Sequence, residues 1–526
     1  MAQSLTSTYW VVLIFNFFYV LVQRLIISLF KPHPPPSPRV PMDAIFDDRI
    51  AVVGAGLTGV TCAAHAITHG FDVVIYEQTG TIGESLHTGG IWANVDKTWG
   101  LRLPSFFYRF HPAVLWSCIF PKRNEILCVT RSLWEEYQLE FRTRFNTHVT
   151  SIERVKDTGL PFQHGSKRTP SRWIINDGVD GEFDAVVVAV GTCGAPKRID
   201  IPGLPQAEQN GIPWEGERNM ESEGSKPGEV FKGKVVHWSE LWEWKTQLFK
   251  GKTILVIGND ANGVGAVETA LARGAKHCIM FARDDKARFS SERATNMFDW
   301  IIRQSALINT LIALQPFAPH CKLFSIMLEK IVKMLNYCGA PQLVPEHLRI
   351  FEDTPVIHDE FANWVRQGSC EYVQGDVVSL TREGLRVKVR NGEMREYEGD
   401  LLVYATGFSE PETDFLKGGL FPEGYEYPNL YLGSFSTEDW SVLSINPGTA
   451  YVHRILKGFC PSDMRILLTF LKYRPTRPTP ADMKAWVDNV RYYHRHITPR
   501  LRELSFWSYV ELGRQLAGLL GGDLNC

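Results

Sequence analysis

The run RIAVVGAGLTGVTCAAHAITHGFDVVIYEQ, Arg49 to Gln78, constrains the fold more than any other stretch of the chain. It reads as a buried strand, a glycine turn Gly54-x-Gly56-x-x-Gly59, a helix, and a second strand that ends at the acidic Glu77. Two short apolar runs joined by a helix make a parallel βαβ unit, since parallel neighbours need a crossover connection. Gly54 permits the tight turn, Gly56 lets the backbone approach a pyrophosphate, and Gly59 lets helix and strand pack closely. The first N–H groups of the helix face the negative charge. Glu77, about 18 residues beyond Gly59, stands where a carboxylate accepts both hydroxyls of an unphosphorylated ribose and repels a 2′-phosphate. The unit suits FAD or NAD and disfavours NADP.

A second copy begins at Ile254, where the chain reads ILVIGNDANGVG. A strand over Thr253 to Ile257 leads into Gly258, then Asn262 and Gly263, a helix to about Arg273, and a strand that ends at Arg283. The sign at the end of that strand is reversed. Arg283, with Lys286 and Arg288 just beyond, stands where the first unit offers Glu77, the exchange that admits a ribose 2′-phosphate. One unit would hold FAD and the other NADPH, with Gly258, Asn262 and Gly263 forming the pyrophosphate turn. Asp260 occupies the middle-glycine position, where a carboxylate repels a pyrophosphate unless it turns away or caps the helix. The alternative is a second unit that is Rossmann-like yet binds NADPH weakly or not at all.

With 526 residues the chain exceeds one ordinary hydrophobic core. The expected organisation is α/β, with two Rossmann-like dinucleotide-binding domains and an N-terminal membrane helix. An anchor helix (1–30) and a proline-rich linker (31–46) lead into the first segment of the FAD domain (47–215). An NADPH domain (216–398), carrying a helical insert at about 296–344, follows; the returning segment of the FAD domain (399–460) and a helical C-terminal region (461–526) complete the chain. The insert reads as core packing first and as a membrane-contacting or substrate-gating element second. The C-terminal stretch from Asp482 to Leu520 reads as amphipathic helices covering the body or touching a membrane.

A net charge of -2 gives no pull toward nucleic acid. The ten cysteines include no Cys-x-x-Cys pair, and neither a metal-ligand cluster nor a Ser/His/Asp constellation stands out. Two further strand-to-glycine turns occur: Asp184 to Gly203, turning at Gly191, and Gly399 to Phe408, running into Ala405, Thr406 and Gly407. Alone they are ordinary strand ends.

The apolar run YWVVLIFNFFYVLVQRLIISLF, Tyr9 to Phe30, covers about 22 residues, roughly 33 Å as a helix, enough to cross a bilayer. Spanning is the first reading and an interfacial helix the second, because Arg24 is costly at mid-membrane unless it snorkels. Positive charge follows the run at Lys31 and Arg39, which leaves the body in the cytosol. A single-pass protein of the endoplasmic reticulum is expected.

Taken in order, GAGLTG, GGIW at Gly89 to Trp92, FKGKVVH at Phe231 to His237, YATGF at Tyr404 to Phe408 and EYPNLYLGSF at Glu426 to Phe435 resemble the class B flavin monooxygenases, the flavin-containing monooxygenases and their Baeyer-Villiger relatives. The resemblance spans about Arg49 to Gly433. It implies FAD held by Gly54, Gly56, Gly59 and Glu77, with Trp92, Thr406 and Gly407 beside it, and NADPH held by Gly258, Asn262, Gly263 and Arg283. His237, on the linker ahead of the second unit, is a hinge or hydrogen-bond post before it is an acid or base. The chain departs from the family pattern at Leu241, Val190 and Asp260, and Phe106 to Pro112 stands where members carry an asparagine near the flavin.

The chemistry implied is mostly the cofactor's: NADPH reduces FAD, the reduced flavin traps O2 as a hydroperoxide, and one oxygen passes to a small, lipophilic organic substrate. N-, S- or C-oxygenation is the first reading and Baeyer-Villiger insertion at a ketone the alternative. A disulfide reductase shares the architecture but needs a redox cysteine pair. From another class comes a membrane-tethered flavin- and NADPH-binding protein without turnover.

Overall fold

The computed structural model describes chiefly residues 48–80, 90–155, 171–204, 230–283, 356–445 and 460–496, with short breaks, and a helical stretch within 14–28. The proline-rich linker, nearly all of the expected insert at 296–344, and everything beyond 496 lie outside the described residues. The chain divides into two compact units. One comprises Val12–Ala93, Leu103–Gly194 and Glu410–Cys526, the other Met1–Val11, Asn94–Arg102 and Ala195–Ser409.

The first unit is built on a five-stranded parallel sheet, in the order Val442–Ser444, Ala185–Val188, Arg49–Val53, Asp72–Tyr76, Thr143–Arg144. Its inner strands are continuous apolar runs, as a sheet covered on both faces requires. Helix Leu57–Thr68 is buried along most of its length through Gly59 to Ile67, so small residues and Val60 pack against the sheet. A three-stranded antiparallel sheet, Ile152–Arg154, Trp173–Ile175 and Glu182–Phe183, adds Trp173 and Phe183 to the same core as Val53, Tyr76 and Val186.

Seven strands form the sheet of the second unit. Lys234–His237, Leu401–Tyr404, Thr253–Ile257, His277–Ala282 and Cys370–Leu380 run parallel, and Gly384–Val389 and Met394–Glu398 continue the sheet as antiparallel hairpins. Leu255, Ile257, Phe281, Leu402 and Tyr404 fill its core.

Two observations bear on the expected organisation. Leu401–Tyr404 pairs on both sides within the second sheet, in register with Leu255 and Val235, so the boundary expected at 398/399 falls at 409/410, and the one expected at 215/216 falls at 194/195. The second concerns the N-terminus. No helix among the described residues is long and apolar enough to cross a membrane. Residues 16–25 are helical, and instead of standing clear they lie against the first unit: Tyr19 Oη is 2.8 Å from Ser105 Oγ, and Gln23 is bonded to the backbone of Trp116.

Candidate functional site

In each unit the first strand ends on a glycine with positive φ, Gly54 at 102° and Gly258 at 116°, a region where a side chain is strained. Each glycine also faces a crossing strand end. A Cβ on Gly54 would lie 2.6 Å from the Ala189 carbonyl oxygen, and one on Gly258 2.5 Å from that of Ala405. A Cβ on Gly59 would collide with the Gly54 carbonyl, and one on Gly263 with that of Gly258, so these glycines allow helix and strand to touch. The two turns are copies of one another.

They differ at the helix start. Gly56 has φ −69° and ψ 179°, Asp260 φ −74° and ψ −175°, the same backbone conformation. A Cβ on Gly56 would meet only Gly90 at 3.6 Å, an ordinary contact, so packing does not demand a glycine there. Its absence of a side chain leaves the first-turn N–H groups approachable, and no side chain caps them, which fits a pyrophosphate. Asp260 is exposed and makes no capping bond to its own helix. The turn therefore accepts the aspartate without strain, and its cost falls on an approaching anion. Asn262 is half-buried beside it.

Glu77 does more than await a ribose. Its Oε2 accepts the Ala55 N–H of the glycine turn at 2.8 Å, and Oε1 accepts the Thr79 N–H at 2.9 Å and the Thr79 hydroxyl at 2.7 Å. Three of the roughly four acceptor positions of a carboxylate are thus used. Glu77 braces the turn, and Oε2, with a single bond to Ala55, is the less engaged of its two oxygens. In the second unit the exposed Arg283 follows Ala282 directly at the C-terminal end of its strand, where a 2′-phosphate would lie. Lys286 lies outside the described residues.

Trp92 sits in the short helix Gly90–Asn94, its Nε1–H donating to Tyr108 Oη at 2.9 Å and its carbonyl accepting from Arg123 Nε at 2.8 Å. Burial pushes the Tyr108 phenol up to about 12, so it remains protonated. Tyr108 belongs to the stretch Phe106 to Pro112, which departs from the pattern the resemblance leads one to expect.

Thr406 and Gly407 belong to the second unit, in a ribbon formed with residues 195–197. Lys197 N–H donates to the Gly407 carbonyl at 3.0 Å, Ser409 N–H to that of Ala195 at 2.9 Å, and the Thr406 hydroxyl to that of Lys197. The two strand-to-glycine linkers are therefore zipped to each other, a pairing between residues about 200 apart that no local pattern discloses. His237, fully buried, locks the ribbon: Nε2 is 2.9 Å from the Gly407 carbonyl oxygen and Nδ1 2.7 Å from Ser239 Oγ. A carbonyl only accepts, so Nε2 carries the proton and Nδ1 accepts from the serine. Burial lowers the His237 pKa to about 4, partly opposed by the Gly407 bond. The histidine is thus a neutral hydrogen-bond post. Glu240 receives its backbone N–H at 3.3 Å and pairs with Arg198 at 2.7 Å.

A sequence model described as pyridine nucleotide-disulphide oxidoreductase matches residues 48–305, just under half of the chain. Flavin-containing monooxygenase FMO GS-OX-like 4 of Arabidopsis thaliana is 24% identical over 277 residues, 48% of this chain and 55% of the relative. A Baeyer-Villiger monooxygenase of Pseudomonas aeruginosa is 24% identical over 220 residues, covering 41% and 34%. The chain is thus similar to flavin-containing and Baeyer-Villiger monooxygenases. It spans about half the length of the curated relatives it matches. The fold extends further than the detectable sequence match: an epsilon-caprolactone-bound cyclohexanone monooxygenase superposes with a TM-score of 0.60 at 16% identity, covering 90% of this chain and 98% of the other. A steroid monooxygenase bound to NADP gives 0.60 at 17% identity, with 89% and 98% covered.

The matching model is named for disulfide chemistry; the cysteines among the described residues are free thiols. Cys278 and Cys370 face one another across parallel strands, yet both are buried, neither forms a disulfide, and burial drives the Cys278 thiol well up. They also lie at the N-terminal ends of their strands, and in His277–Ala282 that is the end opposite Arg283.

Proposed function

We propose that the chain is an NADPH- and O2-dependent flavin monooxygenase acting on a small, lipophilic organic substrate, with FAD on the Glu77 turn and NADPH on the Arg283 turn. The observation that carries this is the duplication: two turns of the same backbone geometry, closed by charges of opposite sign. The same duplication supports two different nucleotides rather than one. When bound, FAD reduced by NADPH supplies the chemistry that activates O2 and transfers one oxygen atom.

The chain's own residues bind and orient. Gly54, Gly56 and Gly59 admit a pyrophosphate to the helix start, Glu77 holds the turn and the ribose hydroxyls, and Gly258, Asn262 and Gly263 do the corresponding work for the second nucleotide. Arg283 answers the 2′-phosphate. Trp92 and Tyr108 form a hydrogen-bonded aromatic pair in the flavin unit, while His237 and Gly407 fix the linker ribbon in the other. N- or S-oxygenation is the reading for the reaction, with ester formation from a ketone as the outcome that would replace it. The N-terminal apolar run supports attachment to a membrane with the body in the cytosol.

The deciding experiment records the visible spectrum of the purified protein with NADPH or NADH under anaerobic conditions, then on admitting air. Bleaching that prefers NADPH, followed by oxygen-dependent product from a soft nitrogen or sulfur nucleophile, is the expected result. A flavin that stays oxidised with both nucleotides would leave a binding role in place of the enzyme.

A further inference from the structure

We propose that the N-terminal helix is a monotopic device: it lies flat in one leaflet of an anionic bilayer, clasped to the flavin unit by Gln23, and does not span. The inference rests on the membrane reading of the apolar run and specifies its mode.

Gln23 is 1% exposed, and its side-chain amide completes a backbone segment of the body. Nε2 donates to the Trp116 carbonyl at 2.9 Å and Oε1 accepts the Trp116 N–H at 3.0 Å. Four residues earlier on the same helix face, Tyr19 meets Ser105 Oγ, which itself donates to the Cys118 carbonyl at 2.8 Å. Trp116 is fully buried and its Nε1–H donates to the Tyr108 carbonyl at 3.1 Å, so the helix joins the layer that carries Tyr108. Removing it would orphan a buried donor and acceptor on Trp116, which costs far more than an exposed tail can.

The opposite face is apolar and open. Ile14, Phe17, Phe18, Leu21, Val22 and Leu25 are each between 50% and 61% exposed. Their spacing of three and four residues places them on one stripe, roughly 140° wide at 3.6 residues per turn. Arg24 is exposed at its flank, and Lys31 and Arg39 follow in the sequence. Apolar groups backed by positive charge at the edge match an acyl layer beneath anionic headgroups.

Length excludes the spanning mode while the clasp holds. Only Tyr9 to Phe18 of the apolar run precede Tyr19, and those ten residues make about 15 Å of helix, half of the roughly 30 Å hydrocarbon core. An extended chain would reach further but would leave its backbone groups unpaired in lipid.

The test uses the full-length protein. Flotation with phosphatidylcholine vesicles containing about a third phosphatidylserine is compared for wild type and for Phe17→Ser/Phe18→Ser/Leu21→Ser, whose positions are exposed and whose melting should match wild type. Wild type should float and the triple variant should lose at least ten-fold of its bound fraction. In parallel, an Asn-Gly-Thr acceptor placed before Ser4 is followed in microsomes, where it should stay unglycosylated and accessible to protease from the cytosolic side. Failure of wild type to float, with a dimer dissolved by the triple substitution, would assign the stripe to a second copy and overturn the membrane reading as well. Flotation with a glycosylated N-terminus would overturn the flat mode alone.

Discussion

His237 Nε2 lies 2.9 Å from the carbonyl oxygen of Gly407, so the end of strand Lys234–His237 is fastened to the turn that follows Leu401–Tyr404. The imidazole holds that bond as a neutral group, its pKa lowered from 6.5 to about 4 by burial. Unfolding returns it to the ordinary value, so between pH 6.5 and 4 the unfolded chain binds more protons than the native one. Stability is therefore fully present above about 6.5 and falls as pH drops toward 4, by on the order of 3 kcal/mol as an upper bound. Urea unfolding at a series of pH values should show this slope in wild type and a shallower one in His237→Gln, which keeps a donor near Gly407 without titrating there. Equal slopes would place the titration elsewhere.

Asp260 shares its backbone conformation with Gly56 and differs only in the carboxylate it adds at a helix start. An anion within the first turn interacts with the dipole by about 0.3–1 kcal/mol, and up to about 2 in partly buried sites. A second anion, the pyrophosphate, must compete with it. Asp260→Gly should therefore lower the Kd for NADP+ about three- to ten-fold, with Asp260→Asn intermediate and the gain shrinking at high salt. Titration calorimetry reads this without turnover. An unchanged Kd would show that the carboxylate faces away from the bound nucleotide.

Arg283 and Glu77 occupy matching strand ends and carry opposite charges. Arg283→Ala should raise the KM for NADPH at least ten-fold and leave that for NADH nearly unchanged, since only the first carries the 2′-phosphate that a guanidinium binds. Glu77→Gln should act on the flavin instead. It keeps one acceptor for Ala55 or Thr79 and weakens the rest, so purified protein should retain less than half the FAD of wild type. FAD content and the NADPH/NADH ratio separate the two effects.

What was legible in the sequence follows from how local each constraint is. The strand, glycine turn, helix and terminal charge of each unit lie within about 30 residues, and Gly54, Gly59, Gly258 and Gly263 stand where hard contacts forbid a Cβ. The partner of Leu401–Tyr404 could not be read that way, because a parallel strand's own residues look alike whichever buried sheet receives them. The linker ribbon and the Gln23 clasp were hidden for the same reason: each joins residues far apart through backbone carbonyls, which leave no side-chain pattern. One signal was available for the clasp, a glutamine inside a largely apolar run, where an amide must find partners.

Arg154 and Asp439 form the most enclosed ion pair of the flavin unit among the described residues, at 2.6 Å with both side chains largely buried. The carboxylate also accepts the Ser441 N–H at 3.0 Å, the Ser441 hydroxyl at 2.6 Å and the Ser171 hydroxyl, while the guanidinium lies 5.1 Å over the Trp173 ring. Trp173 Nε1–H closes the network on Ser441 Oγ at 2.9 Å. Removing only the cation leaves a buried carboxylate with its serines, so Arg154→Met should cost about 3 kcal/mol. Neutralising both partners relieves the uncompensated charge, and Arg154→Met/Asp439→Asn should cost clearly less than the sum of the single changes. A double-mutant cycle by urea unfolding measures this coupling. Because strand Val442–Ser444 starts three residues after Asp439 and pairs with Ala185–Val188, the loss should also appear as faster amide exchange at Val186 and Val187, which a surface ion pair would not produce.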